Sequence, residues 1–434
     1  MTASPAERLP PRPIPGGRRF AGRVEPPPSK SLTNRHLVLA LLARRPVVIE
    51  RPLVSEDTDA LAAALETLGF TLRRGRGELA IEPPARPARE AAIDCRASGT
   101  MARFLTAALA ALPGRFRLDG GARLRERPLG PLATALETLG ARFAWEGRRG
   151  HLPVTVAGGT LRGGEVELDA GLSSQFLSAL LMAALGALDE VRVRVRALTS
   201  APYVELTLRA MAEWGGRVES EGEGYRVVPG ITPPRRLRVP GDDSSACYPA
   251  AAAALTGGEA RLAGLARESA HPDRRFFALL EEMGARCEWL GQELLVRGTG
   301  ALRAVDADLS EMPDQVPTLA VLAPFARGTT VIRNVAHLRL KESDRLAAVA
   351  AGLESAGARA SVAADGLTIP GLWAHRPPPG RPALVETFGD HRIAMSFALL
   401  GLVRPGLSVA DPGVVEKSYP GFWRDFAACT GSGA

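Results

Sequence analysis

Polar and apolar positions along this chain follow a pattern that recurs six times. Each copy opens on a short polar turn and runs on as an Ala/Leu-rich stretch with helical character. The turns lie near Ser29-Lys30-Ser31, Ser98-Gly99-Thr100, Ser173-Ser174-Gln175, Asp243-Ser244-Ser245, Pro313-Asp314-Gln315 and Gly389-Asp390-His391, about 70 residues apart. Between them lie second helical stretches, most closed by glycine: Leu68-Gly69, Leu139-Gly140, Trp214-Gly215, Met283-Gly284 and Ala356-Gly357. Glycine just past a helical pattern is a C-cap signal. Short alternating runs follow, such as Arg142-Phe143-Ala144-Trp145 and Arg286-Cys287-Glu288-Trp289, and these predict strands. The repeating unit is therefore strand, helix, strand, helix, then strands. A period of about 70 exceeds that of a solenoid repeat and suits a small α/β subdomain.

Six units divide into three plus three. The Pro/Arg stretch Pro233 to Pro240 lies between units three and four and predicts the break there. The expected organisation is a domain of residues 29–240 inserted into a discontinuous domain of residues 1–28 and 241–434, with the active site in the cleft between them. Several polar turns open the first helix of a unit. Helix N-termini present unpaired N–H groups and the positive end of the dipole, so such turns attract phosphate and carboxylate. Any one copy also reads as an ordinary Ser, Thr or Asp cap.

The 434 residues exceed the usual single-domain size. Hydrophobic residues make up 46%, enough for substantial cores. The four cysteines are scattered without paired spacing, which argues against a zinc site or disulfide framework and fits a reducing cytosol. Residues Met1 to Arg19, rich in Pro and Arg with no apolar core, read as a floppy leader rather than a signal peptide. The longest apolar runs, such as Phe176 to Leu188, are too short to span a bilayer.

The formal charge of +7 points to anionic ligands. The arginines are dispersed and aromatics are only 5%, so a nucleic-acid platform lacks both a basic patch and stacking residues. Lys30, Lys341 and Lys417 are the only lysines among 54 Lys plus Arg, and each sits in a polar cluster. In a chain that otherwise uses arginine, they mark places where a compact amine with a tunable pKa is wanted.

These clusters carry a resemblance. Ser29-Lys30-Ser31-x-x-Asn34-Arg35, Gly99-Thr100-x-x-Arg103, Glu126-Arg127-Pro128-x-Gly130, Ser173-Ser174-Gln175-Phe176, Pro202-Tyr203, Lys341-Glu342-Ser343-Asp344-Arg345 and Gly389-Asp390-His391-Arg392 occur in order. Together they make the chain similar to the 5-enolpyruvylshikimate-3-phosphate synthase family from about residue 20 onward. The resemblance implies an α/β fold of two similar domains, each of three βαβαββ repeats around a pseudo-threefold axis. It implies transfer of enolpyruvate from phosphoenolpyruvate to the 5-hydroxyl of shikimate 3-phosphate, with release of phosphate. No metal or organic cofactor is expected. The partners implied are small anions only, for a cytoplasmic monomer without nucleic acid or membrane. Glyphosate is expected to occupy the donor site.

By resemblance, Lys30, Gly99, Arg127, Gln175, Arg345, Arg392 and Lys417 hold phosphoenolpyruvate. Lys30, Ser31, Arg35, Ser173, Ser174, Ser200, Tyr203, Asp314, His337 and Lys341 form the shikimate 3-phosphate shell. Asp314 matches the base for the hydroxyl and Glu342 the acid for the methylene carbon, with Lys30 as a further proton carrier. Asp344 reads as a helix cap, and His391 is given no catalytic role. Three positions depart from the family pattern. Pro28 stands where glycine is usual, Ala97 where asparagine is common, and Phe104 where proline or leucine is frequent. The sister family that uses UDP-N-acetylglucosamine carries a loop cysteine, and Leu118 to Arg127 has none. A homologue acting on another ring alcohol is a further alternative.

Overall fold

The polar turns open helices where the sequence places them. In the computed structural model, which describes residues 9–431 except 376, 377 and 379, five of the six turns cap an α-helix directly. The helices are Lys30–Ala43, Gly99–Ala110, Ser174–Ala184, Asp243–Thr256 and His391–Val403. Their N-caps Ser29, Ser98, Ser173, Asp242 and Asp390 each accept a backbone N–H from the first turn, which satisfies a donor the helix leaves unpaired. The remaining turn forms a 3-10 segment, Pro313–Gln315, ahead of the helix Val316–Leu322. The five glycines expected to end the second helices all hold left-handed backbone, with φ between 68° and 110°. Side chains rarely adopt that conformation, so the residue type itself signals the helix end.

The chain forms two compact units, Pro28–Pro240 and the segments flanking it. Pro28–Pro240 holds three four-stranded sheets. The second repeat shows the plan: strand Glu90–Asp94, helix Gly99–Ala110, strand Gly114–Asp119, helix Gly130–Thr138, strands Arg142–Trp145 and Val154–Gly158. The first two strands pair in parallel across the helical crossover, and the last two complete the sheet antiparallel. The third repeat copies it. The first repeat takes its parallel edge strand from Arg236–Arg238, at the far end of the unit's sequence. The Pro/Arg stretch read as an interdomain break therefore contains a sheet strand.

In the other unit, Ala21–Val24 pairs in parallel with Glu259–Leu262, and Asp306–Asp308 with Thr329–Arg333, each within a four-stranded sheet. The last repeat is shorter. Ala383–Val385 and Leu407–Val409 pair in parallel, and the antiparallel strand comes from Arg12–Pro13. This corrects the reading of Met1 to Arg19 as a floppy leader. Residues 1–8 lie outside the described residues, but Arg12–Pro13 is a strand and Ile14 is buried.

Within each unit the three first helices pack on one another. A helix surrounded on all sides must be apolar all round. Asp243–Thr256 meets this with a run of fully buried alanines, Ala250 to Ala254, whose small side chains permit close approach. Phe176 to Ala184, most of the apolar run Phe176 to Leu188, lies in such a central helix. Among the described residues no helix is long and apolar enough to cross a membrane.

One buried pair makes the fold sensitive to acid. Trp214 Nε1 donates to His36 Nδ1 at 3.1 Å, and both rings are buried. Burial, then the neighbouring Arg35 charge, pulls the His36 pKa down to about 3. The unfolded chain protonates this ring near pH 6.5 while the folded chain does not. This ring's contribution to stability is therefore greatest above pH 6.5 and falls toward pH 3, by at most ~1.4 kcal/mol per pH unit. The thermal midpoint is expected to fall less steeply over this window in His36→Gln, which retains an acceptor for the indole. Identical slopes would remove His36 as the cause.

Candidate active site

The expected site residues divide between the units. Lys30, Ser31, Arg35, Gly99, Arg127, Ser173, Ser174, Gln175, Ser200 and Tyr203 lie in Pro28–Pro240, and Asp314, His337, Lys341, Glu342, Arg345, Arg392 and Lys417 in the other. Lys30, Gly99, Ser174 and Arg392 lie at or near the starts of first helices, whereas Tyr203 and Arg345 open second helices and His337 and Lys417 lie in 3-10 segments.

In Pro28–Pro240, Lys30 stands at the first position of its helix and its Nζ meets Asp57 Oδ2 at 3.3 Å. Asp57 escaped the sequence reading because it sits in the first turn of helix Glu56–Thr67, where an acid reads as a helix-dipole partner. Arg35 is largely committed to protein acceptors. Its Nε donates to Thr207 Oγ1 (2.8 Å), Nη1 to the Ser31 carbonyl (2.9 Å) and Nη2 to the Tyr203 carbonyl (3.0 Å). It thereby ties together Ser31 and Tyr203, two residues of the expected acceptor shell. Burial pulls the Arg35 pKa down to about 10. Its guanidinium lies over the Phe104 ring at 5.4 Å, which gives that departure from the family pattern a packing role.

Gln175 is held at both ends of its amide. Arg103 Nη1 donates to Oε1 at 2.8 Å, and Nε2 donates to Thr100 Oγ1 at 3.0 Å. Ser173 accepts the Gln175 backbone N–H, and Ser174 is buried in the same first turn. Ser200 has a φ of 52°, but Arg51, Asn334 and Asp411 take similar values just after the second strands of their own repeats. Its left-handed backbone therefore belongs to the architecture. Gly99, expected among the donor-holding residues, leaves space where a side chain would stand. The structure fills that space with Arg127: a Cβ on Gly99 would fall 2.6 Å from Arg127 Nη2.

In the other unit the site is a network of three carboxylates and two guanidiniums extended by an amine. Arg345, itself buried, reaches Asp314 Oδ1 (2.7 Å), Asp390 Oδ2 (2.7 Å) and Glu342 Oε2 (3.0 Å). Arg392 Nη2 meets Asp314 Oδ2 at 2.6 Å, and its Nη1 donates to Tyr248 Oη at 3.3 Å. Lys417 Nζ lies 3.6 Å from Glu342 Oε1. Asp390 also accepts from Ser343 Oγ and from the Arg392 backbone N–H. Burial raises the Asp314 pKa, but the Arg392, Arg345 and Lys341 charges outweigh it and hold the carboxyl well below its usual range. Burial opposes the Arg345 charge, and Asp390, Glu342 and Asp314 more than compensate, so its pKa is raised. Burial, then Lys341, pulls the His337 pKa down to about 4, so that ring is neutral at pH 7.

Asp344 caps helix Arg345–Ala356 by accepting the Ala347 N–H, the role its position suggested. His391 is buried 3.8 Å from Asp390. Tyr248 carried no sequence signal, because its contact with Arg392 spans distant repeats. Among the described residues no three His, Cys, Asp or Glu side chains are grouped to hold a metal ion. The arrangement suits a small polyanion: planar arginine forks match carboxylate and phosphate oxygens, and the carboxylates beside them can exchange protons.

Two units of repeated βαβαββ form, with cationic clusters at their helix starts, define an enolpyruvyl transferase. The chain belongs to the family of EPSP synthase (3-phosphoshikimate 1-carboxyvinyltransferase), whose sequence profile matches residues 14–426. It is 45% identical over 407 residues to the 3-phosphoshikimate 1-carboxyvinyltransferase of Syntrophobacter fumaroxidans, covering 92% of this chain and 95% of that one. It is 43% identical to the enzyme of the same name from Thermococcus kodakarensis, covering 93% and 96%. A solved EPSP synthase from Acinetobacter baumannii superposes with a TM-score of 0.78 at 28% identity, over 97% of this chain and 98% of that chain.

Proposed function

We propose that this chain transfers the carboxyvinyl group of phosphoenolpyruvate to the 5-hydroxyl of shikimate 3-phosphate and releases phosphate, a step of the shikimate pathway toward aromatic amino acids. The observation that carries the reading is the Arg345 cluster. It sets two carboxylates, Asp314 and Glu342, among cations suited to a phosphate and a carboxylate.

Joining the hydroxyl oxygen to the enol carbon requires the hydroxyl to lose a proton and the methylene carbon to gain one. Expelling phosphate and losing a proton from the new methyl group restores the double bond. Asp314 takes the hydroxyl proton and Glu342 delivers a proton to the methylene carbon, with Lys30 as a further carrier. Arg127, Gln175, Arg345, Arg392, Lys417 and Lys30 hold the donor, with the Gly99 backbone beside it. Lys30, Ser31, Ser173, Ser174, Ser200, Tyr203, His337 and Lys341 hold the acceptor, and Arg35 orients Ser31 and Tyr203. Positioned proton transfer contributes about 10²–10⁴-fold, and preorganised charge contributes more. The enzyme acts as a cytoplasmic monomer without metal, organic cofactor, nucleic acid or membrane. Phosphate release with phosphoenolpyruvate is expected with shikimate 3-phosphate and not with UDP-N-acetylglucosamine; the reverse would overturn the acceptor assignment.

Glyphosate, a phosphonate-carboxylate, competes with the donor. Because an alanine Cβ at position 99 would displace the Arg127 guanidinium, Gly99→Ala is expected to weaken both ligands. The predicted loss of donor affinity is about tenfold, roughly 1.4 kcal/mol, alongside a rise in the glyphosate inhibition constant. Steady-state kinetics checks this; an unchanged donor KM would show that Arg127 can move aside without consequence.

A further inference from the structure

The turn Asp242-Asp243-Ser244-Ser245 opens a central helix in the same way as the ligand-binding turns, yet none of the roles above falls on it. Ser244 Oγ donates to Asp273 Oδ2, and Gln315 Nε2 donates to the same oxygen at 2.8 Å. Asp273 and Gln315 are both fully buried. Asp273 lies in the 3-10 turn Pro272–Arg274, where its N–H is capped by His271 Nδ1. Gln315 directly follows Asp314 in the turn Pro313–Gln315, and Pro313 and Pro317 fix the backbone on either side. Asp314 and Gln315 thus make separate attachments: the carboxylate to Arg345 and Arg392, and the amide to Asp273. Gln315 Oε1 is buried and has no hydrogen-bond partner among the described residues. An apolar side chain of that size would fill the site without this desolvation cost, so the amide contributes here through its bond to Asp273.

We propose that Asp273, acting through Gln315, is a positioning residue that fixes the turn presenting Asp314 to the acceptor hydroxyl. This rests on the reading of Asp314 as the base. Gln315→Met keeps length and burial and removes the N–H donors. It is expected to lower kcat, measured per folded molecule, about tenfold while KM values change less than about threefold. In an Asp314→Asn background the same substitution is expected to cause no further loss, because residues acting through one group are not additive. Additive losses overturn the inference and leave Asp314 as the base. Near-normal turnover of Asp314→Asn alone overturns both. If Gln315→Met does not fold, Asp273→Asn takes its place in the cycle. An asparagine carbonyl oxygen placed where Asp273 Oδ2 lies still accepts from Gln315, and the variant's smaller loss is likewise expected to vanish in the Asp314→Asn background; persistence of that loss overturns the inference.

Discussion

Asp314→Asn is expected to lower kcat by about 10²–10⁴-fold, the range for loss of a positioned proton acceptor, with substrate binding largely retained. The substitution preserves shape and one carbonyl acceptor. Arg345 keeps Asp390 and Glu342, and Arg392 keeps Tyr248, so neither guanidinium loses all its partners. The paired arginines hold the Asp314 carboxyl well below its usual range, so the basic form is present throughout the neutral and mildly acidic region. An acid limb near pH 4 to 5 in kcat/KM for the wild type therefore reports another group and is expected to persist in the variant. Calorimetry and steady-state kinetics on the folded protein test this. A kcat within tenfold of wild type would displace Asp314 from the mechanism.

Glu342→Gln is expected to slow turnover on a similar scale, about 10²-fold or more, through a different step. Glu342 stands between Arg345 and Lys417, with one carboxylate oxygen toward each. Glutamine keeps the contact to Arg345 but cannot deliver a proton to carbon. Proton delivery then limits the rate, and the solvent deuterium isotope effect on kcat is expected to rise. Unchanged turnover with an unchanged isotope effect would leave Glu342 as a structural counter-ion.

The helix starts and ends of both units were legible because they depend on local chemistry. A Ser or Asp cap and a left-handed glycine act within four residues of themselves, and Ser29, Ser98, Ser173, Gly69 and Gly140 sit where their types require. The scarcity of lysine also led to two ion-paired side chains, Lys30 and Lys417, although not to their partners Asp57 and Glu342. What stayed hidden lies in long-range pairing. Arg35 bonds to Thr207, Arg392 to Tyr248 and Gln315 to Asp273 across different repeats, and no spacing in the sequence encodes these bonds. The N-terminal strand was missed for the same reason: Arg12 and Pro13 look like coil until Val409 and Ser408 lie alongside.

The strand Ala21–Val24, paired with Glu259–Leu262, has a bearing on synthesis at the ribosome. Its partner emerges about 240 residues later, at roughly 5–20 residues per second, so Ala21–Val24 waits on the order of 10–50 s. During that interval the whole of Pro28–Pro240 can be made, including Arg236–Arg238, the strand that completes its own first sheet. An unpaired strand held open that long is a template for wrong pairing. Ala21-Gly22-Arg23-Val24 is a poor one: it is four residues long, contains a glycine and carries a charge at its third position. A nascent chain stalled between residues 240 and 258 would therefore have every strand of one unit's sheets and neither half of the other unit's first parallel pair joined.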